Sequence, residues 1–155
     1  MSLLELVDER AISTHLESLE KEDVIKELIE LLIKSGKIKE ENKGKAIEDV
    51  LAREKKGSTG LEKGVAVPHA KTEAVSELSM AIGISKEGVD FNSIDGEYSY
   101  IFFMLLAPPG SSGPHVEALS QIARFMTPAG VREKLKNANT PEDVIKVIAD
   151  YENNV

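Results

Sequence analysis

Three histidines, one arginine and a glycine-flanked hydroxyl pair are the residues of this 155-residue chain whose types and spacing could do chemistry. His69 follows an apolar run in the stretch GVAVPHAK (64–71), which stops at Pro68 and then presents an imidazole. Loops at strand ends commonly carry function, so position alone allows a working imidazole or the polar punctuation after a short strand. His115 lies in GPHVEAL, within the first turn of an expected helix. It is either an exposed residue near a helix start or part of an anion site, since free backbone N–H groups there favour phosphate. His15, in the polar stretch STHLESLE, reads as a surface side chain.

Arg53 and the loop GSTG (57–60) complete the set. An arginine can hold phosphate in a bidentate fork, although at a helix end it also serves as a favourable C-terminal charge. Ser58 and Thr59 could donate hydroxyl hydrogen bonds to an oxyanion, with glycines on both sides allowing close backbone approach; taken alone, GSTG reads as a flexible turn. It is not a phosphate-binding P-loop, because G-x-x-x-x-G-K-[ST] is absent. Nor is there H-x-x-x-H, H-E-x-x-H or a clustered aspartate motif, so no metal site is expected.

The elements that must position these residues can be read in outline. KEDVIKELIELLIKSGKI places Val24, Leu28, Leu31 and Leu32 at helical spacing, with Gly36 as a C-terminal stop. A second helix is expected over 43–53, burying Ile47, Val50 and Leu51 before the loop EKKGSTG. Val65 to Val67 form a short apolar piece. LSMAIGI (78–84) alternates large and small residues as a strand does, Asp95-Gly96 signals a turn, and YIFFMLLA (100–107) reads as a strand buried on both faces. After the loop APPGSSGP, residues Val116, Leu119, Ile122, Ala123 and Met126 mark an amphipathic helix with Pro114 in its first turn. A shorter helix is expected over 129–137, and Thr140-Pro141-Glu142-Asp143 resembles an N-cap before Val144, Ile145 and Ile148. Helices before, between and after strands predict an α/β or α+β class, with a central sheet covered on both faces.

Bulk properties exclude several functions. At this length a single domain, residues 1–155, buries roughly 68–70% of the unfolded chain's surface. The net charge of −8 and the lack of a basic patch argue against nucleic acid. Cysteine is absent, which removes disulfides, thiolate metal sites and a cysteine nucleophile. No apolar stretch approaches the roughly 20 residues needed to span a bilayer, so no membrane insertion is expected and the protein reads as cytoplasmic.

The span R-E-K-K-G-S-T-G-L-E-K-G-V-A-V-P-H (53–69), followed by G-V-D-F-N-S-I-D-G (88–96), F-F-M-L-L-A-P (102–108) and H-V-E-A-L (115–119), resembles one family. It is similar to the type-2 IIA domain of the phosphoenolpyruvate-dependent sugar phosphotransferase system, the fructose/mannitol type that also includes nitrogen-regulatory IIA proteins. The resemblance implies a mixed sheet with helices on both faces. It implies that His69 accepts a phosphoryl group from the phosphocarrier protein HPr and passes it to a cysteine of a IIB domain, with Arg53 and His115 stabilising phosphate. Lys71 stands where many members show arginine, and Val116 where leucine is commoner. With no cysteine and no membrane span in this chain, the IIB partner is expected in trans. No cofactor is expected, and an alternative role is a regulatory protein whose phosphorylation state controls partner binding. A neutral imidazole suits such a relay, since lysine would be protonated and serine would hold a stable ester. Arg53, together with a protonated His115, would disfavour a proton on His69.

Overall fold

The computed structural model describes residues 2–154. A four-residue helix, α1 (Leu3–Leu6), opens the chain, and the carboxylate of Glu152 accepts the Leu3 and Leu4 N–H groups at 2.8 and 3.0 Å. That contact sets a negative charge on free amide donors at a helix start and ties the two ends of the chain together. A 3₁₀ turn (Glu9–Ala11) leads into β1 (Ile12–Ser13).

Helix α2 (Lys21–Lys34) buries Val24, Ile25, Leu28, Ile29 and Leu32, while Leu31 is only half-buried at the edge of the stripe. It stops where expected. Gly36 takes φ +80°, a left-handed turn that a side chain would strain, and the Lys37 N–H reaches back to the Leu32 carbonyl. Helix α3 (Lys43–Lys55) runs two residues past the predicted end and turns a different face inward. Ala46, Val50 and Glu54 are buried at i, i+4 and i+8; Ile47 and Leu51 pack at the margin.

Strands β2 (Val65–Ala66) and β3 (His69–Lys71) lie along the same edge of β5 (Ser99–Ala107), both parallel to it. Strand β4 (Ser79–Val89) pairs antiparallel with β5 and parallel with β1, giving a mixed sheet in the order β1-β4-β5-β2. The large–small alternation of LSMAIGI reflects two unequal faces. Met80, Ile82 and Ile84 meet one helical layer, whereas Ala81 and Gly83 face α2. At Gly83 a Cβ would sit 2.7 Å from Leu16 Cδ1 and 2.9 Å from Leu28 Cδ2, so the helix approaches the backbone itself. β4 extends five residues beyond the expected Ile84, through a bulge between Ile84 and Val89. Every β5 residue except half-buried Tyr100 is buried, with Phe102, Met104 and Leu106 on one face and Ile101, Phe103 and Leu105 on the other.

The second face is covered by α4 (Ser112–Phe125), α5 (Ala129–Lys136) and α6 (Pro141–Asn153). Thr140 caps α6 with a full capping box, its hydroxyl accepting the Asp143 N–H while the Asp143 carboxylate accepts the Thr140 N–H. In α4 the inward stripe differs from expectation. Ile122 and Met126 are buried and Leu119 packs against the core as expected, but Val116 and Ala123 are exposed and His115, Ala118 and Phe125 are buried instead. Phe125 packs edge-on against Phe103 and Tyr151, with ring centroids 6.1 and 5.1 Å apart, so the inward face of the helix includes the side that carries His115.

Candidate functional site

The acceptor position is made by an interruption in the sheet edge. Val65 and Ala66 pair with Ile101 and Phe102; His69 and Ala70 pair with Leu105 and Leu106, in unchanged register. Between them the Val67 N–H donates to Thr59 at 3.0 Å instead of to β5, and Pro68 has no N–H to give. Pairing is held by the Pro68 carbonyl, which accepts the Leu105 N–H at 2.9 Å. Because side chains alternate along a strand, Val65, Val67 and His69 share the face that looks toward α4.

The His69 ring is half-buried, and its Nδ1 lies 2.7 Å from the Val67 carbonyl oxygen. A carbonyl only accepts, so Nδ1 carries the proton and Nε2 keeps its lone pair. His115 stands edge-on to it, with ring centroids 5.5 Å apart and planes at 76°. His115 is 6% exposed, and its Nε2 is buried without a hydrogen-bond partner among the described residues. An orphaned buried polar atom costs about 1–3 kcal/mol, so this nitrogen has a hydrogen-bonding capacity that no described protein group meets.

Burial pushes the His69 pKa down, assisted by the Arg53 guanidinium; the Val67 hydrogen bond and the Glu54 carboxylate act the other way without overcoming it. His115 is also lowered, by burial first and then by His69 and Lys71. Both shifts favour the neutral ring, against the protonated His115 considered in the charge argument above. Arg53, in the last turn of α3, is fixed by its Nη1 donating to the Gly57 carbonyl at 2.8 Å. Asp49, Arg53, Lys56, His69, Lys71 and His115 all line one cleft of about 400 Å³.

Ser58 and Thr59 do not line that cleft. The Ser58 hydroxyl donates to the Phe91 carbonyl at 2.6 Å and accepts the Gly60 N–H at 3.0 Å. Thr59 donates both its N–H and its hydroxyl to the buried Glu54 carboxylate. Lys21 completes this group, at 2.8 Å from Glu54 and 4.6 Å from the Phe91 ring centroid. These hydroxyls are spent on internal acceptors, so the loop is a strut that ties the end of α3 to the chain before β2. Neither Glu54 nor Lys21 was singled out from sequence. The available signal was the i, i+4, i+8 series Ala46, Val50, Glu54, which puts a carboxylate on a buried face. His15 is exposed, as expected, with Nδ1 3.0 Å from the Thr14 hydroxyl. Among the described residues no group of three or more His, Asp or Glu side chains is arranged to hold a metal, and no helix is long and apolar enough to cross a membrane.

Comparison with known proteins agrees with this arrangement. Residues 5–151 match the family described as phosphoenolpyruvate-dependent sugar phosphotransferase system, EIIA 2. A fructose-specific EIIABC component of Bacillus subtilis is 37% identical over 152 residues, covering 98% of this chain and 24% of that relative. The chain thus spans about a quarter of that longer protein. A fructose-specific EIIA component of Haloferax volcanii is 35% identical over 130 residues, 84% of this chain and 83% of that relative. The crystal structure of nitrogen regulatory protein IIA-Ntr from Neisseria meningitidis superimposes with a TM-score of 0.85 at 30% identity, covering 94% of this chain and 98% of that one. With its mixed five-stranded sheet, two-sided helical cover and match over nearly its whole length, the chain belongs to the EIIA 2 family of the phosphoenolpyruvate-dependent sugar phosphotransferase system.

Proposed function

We propose that this protein relays a phosphoryl group, accepting it on His69 Nε2 from the phosphohistidine of HPr and delivering it to a cysteine of a IIB domain. The reading rests on one pairing: Nδ1 of His69 is engaged by the Val67 carbonyl, which leaves Nε2 as its nucleophilic nitrogen, and His69 lines a cleft together with Arg53 and His115. In the transfer, the Nε2 lone pair forms the new N–P bond as the donor's N–P bond breaks and the donor nitrogen keeps that electron pair. No proton has to leave His69, because the Nδ1 proton stays on Nδ1, donated to the Val67 carbonyl. The transition state asks mainly for in-line positioning and charge stabilisation. Arg53 supplies a fixed charge, and a neutral His115 can donate an Nε2–H to a transferring oxygen at the moment it gains a partner. The sugar served would be fructose-like, by analogy with the fructose-specific relatives.

Reconstitution with phosphoenolpyruvate, enzyme I and HPr tests this. His69 becomes labelled and His69→Ala does not; labelling that persists in His69→Ala refutes the assignment. His115→Ala slows transfer by about 10²–10³-fold if its Nε2–H acts as an oxyanion donor. A regulatory reading is favoured by the nearly full-length likeness to IIA-Ntr. In that reading, a phosphoryl group of about two negative charges switches a protein interface at the same cleft. Transfer from the phosphorylated protein to a panel of IIB domains separates the two, since a purely regulatory protein transfers to none.

A further inference from the structure

His69 and Lys71 are two residues apart on β3, so the pleat sends both side chains to the same face of the strand. Ser112 and His115 are three apart at the start of α4, side by side on that helix. Strand and helix are thus joined by two adjacent rungs. One is the edge-on contact between His69 and His115. The other is the Lys71 ammonium donating to the Ser112 hydroxyl at 2.6 Å.

The charge around the cleft makes the second rung more than a latch. The protein carries a net −8, yet three cations and one carboxylate line this cleft. That carboxylate, Asp49, is engaged by Lys45 at 3.1 Å. Lys71 is held by a neutral hydroxyl, so its positive charge is not cancelled by its partner. His115, whose buried Nε2 has no partner among the described residues, lines the same cleft. A neutral donor would latch β3 to α4 equally well; an ammonium adds only what an anion can use.

We propose that Lys71 is a phosphate-binding residue of this site, holding an oxygen of the phosphoryl group together with Arg53, and that Ser112 is the positioning residue that keeps its ammonium there. This rests on the reading of His69 as phosphoryl acceptor. Two formal charges on the bound group are then met by two side-chain cations from separate elements, α3 and β3.

Inorganic phosphate is the probe, titrated into wild type, Lys71→Met, Lys71→Arg and Ser112→Ala while the His69 and His115 ring signals are followed by NMR. Lys71→Met keeps the aliphatic stem and removes the charge. It weakens phosphate binding about tenfold, Lys71→Arg stays within about twofold of wild type, and Ser112→Ala falls between. In phosphotransfer, Lys71→Met lowers kcat about tenfold with little change in the KM for phospho-HPr, whereas a residue that only docks the partner would raise KM. Equal phosphate affinity in folded wild type and Lys71→Met overturns the proposal, as does a wild type that binds no phosphate at tens of millimolar. If wild type binds phosphate with Lys71 dependence but His69 is never phosphorylated, the acceptor reading fails while the phosphate site stands.

Discussion

Glu54→Ala should be among the most damaging single substitutions in the molecule outside the apolar core. The Glu54 side chain is 5% exposed and Lys21 21% exposed, with 2.8 Å between their charged atoms. Removing the carboxylate leaves the Lys21 ammonium with long contacts of 3.4 Å to Ser58 and the Phe91 carbonyl and the Phe91 ring face, and strips Thr59 of the acceptor for both its N–H and its hydroxyl. Breaking a fully buried pair costs about 3–5 kcal/mol. Because Lys21 keeps some contact with water, about 2–4 kcal/mol is expected here. For a chain of this size that lowers Tm by about 4–16 °C at roughly 2–4 °C per kcal/mol. Urea unfolding of wild type, Glu54→Ala, Lys21→Met and the double variant gives the coupling directly. The double variant should cost less than the sum of the singles, since it leaves no uncompensated charge. Strict additivity, or a Glu54→Ala loss below about 0.5 kcal/mol, would refute the claim that this pair braces the loop. Phosphotransfer should fall too, because the Gly57 carbonyl that fixes Arg53 belongs to the same loop.

Three further outcomes are expected. His69 and His115 titrate below the ordinary histidine value of 6.5, so the unfolded chain takes up protons first. Stability is then fully present above about pH 6.5 and declines as pH falls toward the folded values; denaturant midpoints measured from about pH 7.5 to about pH 5 should show it, and His115→Gln should flatten the decline. Gly83→Ala forces a methyl into space held by Leu16 and Leu28 and should cost about 1–3 kcal/mol in urea unfolding. Thr140→Ala removes the side-chain half of the α6 capping box, with a loss of about 1 kcal/mol read as a Tm drop of about 2–4 °C.

What was legible in the sequence followed from local signals. The glycine stop of α2, the capping residues of α6 and the unbroken apolar run of β5 each announce themselves within a few residues, and each element formed where expected. The apolar faces were harder. Helix α4 carries two overlapping stripes one residue apart, and only long-range packing of Phe125 against Phe103 and Tyr151 decides between them. Counting histidine as polar favoured the stripe with Val116, which is 62% exposed. The end of β4 was hidden for a related reason, since exposed Lys86 and Glu87 interrupt its apolar pattern. At the site, His69, Arg53 and His115 are brought together as the resemblance implied. For Ser58 the acceptor is the Phe91 carbonyl, 33 residues away, and for Thr59 it is Glu54 at the buried end of the preceding helix; loop composition alone encodes neither.

The two helical layers have so far figured as cover for the sheet. Arg53 belongs to the layer built on α2 and α3, His115 to the layer built on α4, α5 and α6, and His69 to the sheet edge between them. The cleft is consequently a seam where three separately packed bodies meet. Its dimensions measure how those bodies are seated on one another. Repacking deep in either layer, at Val50 or at Ile122, should detune transfer without touching a single residue of the cleft. In the other direction, a dianion clamped across the seam would draw both layers toward the edge strand, so that occupancy of one small site stiffens the whole molecule.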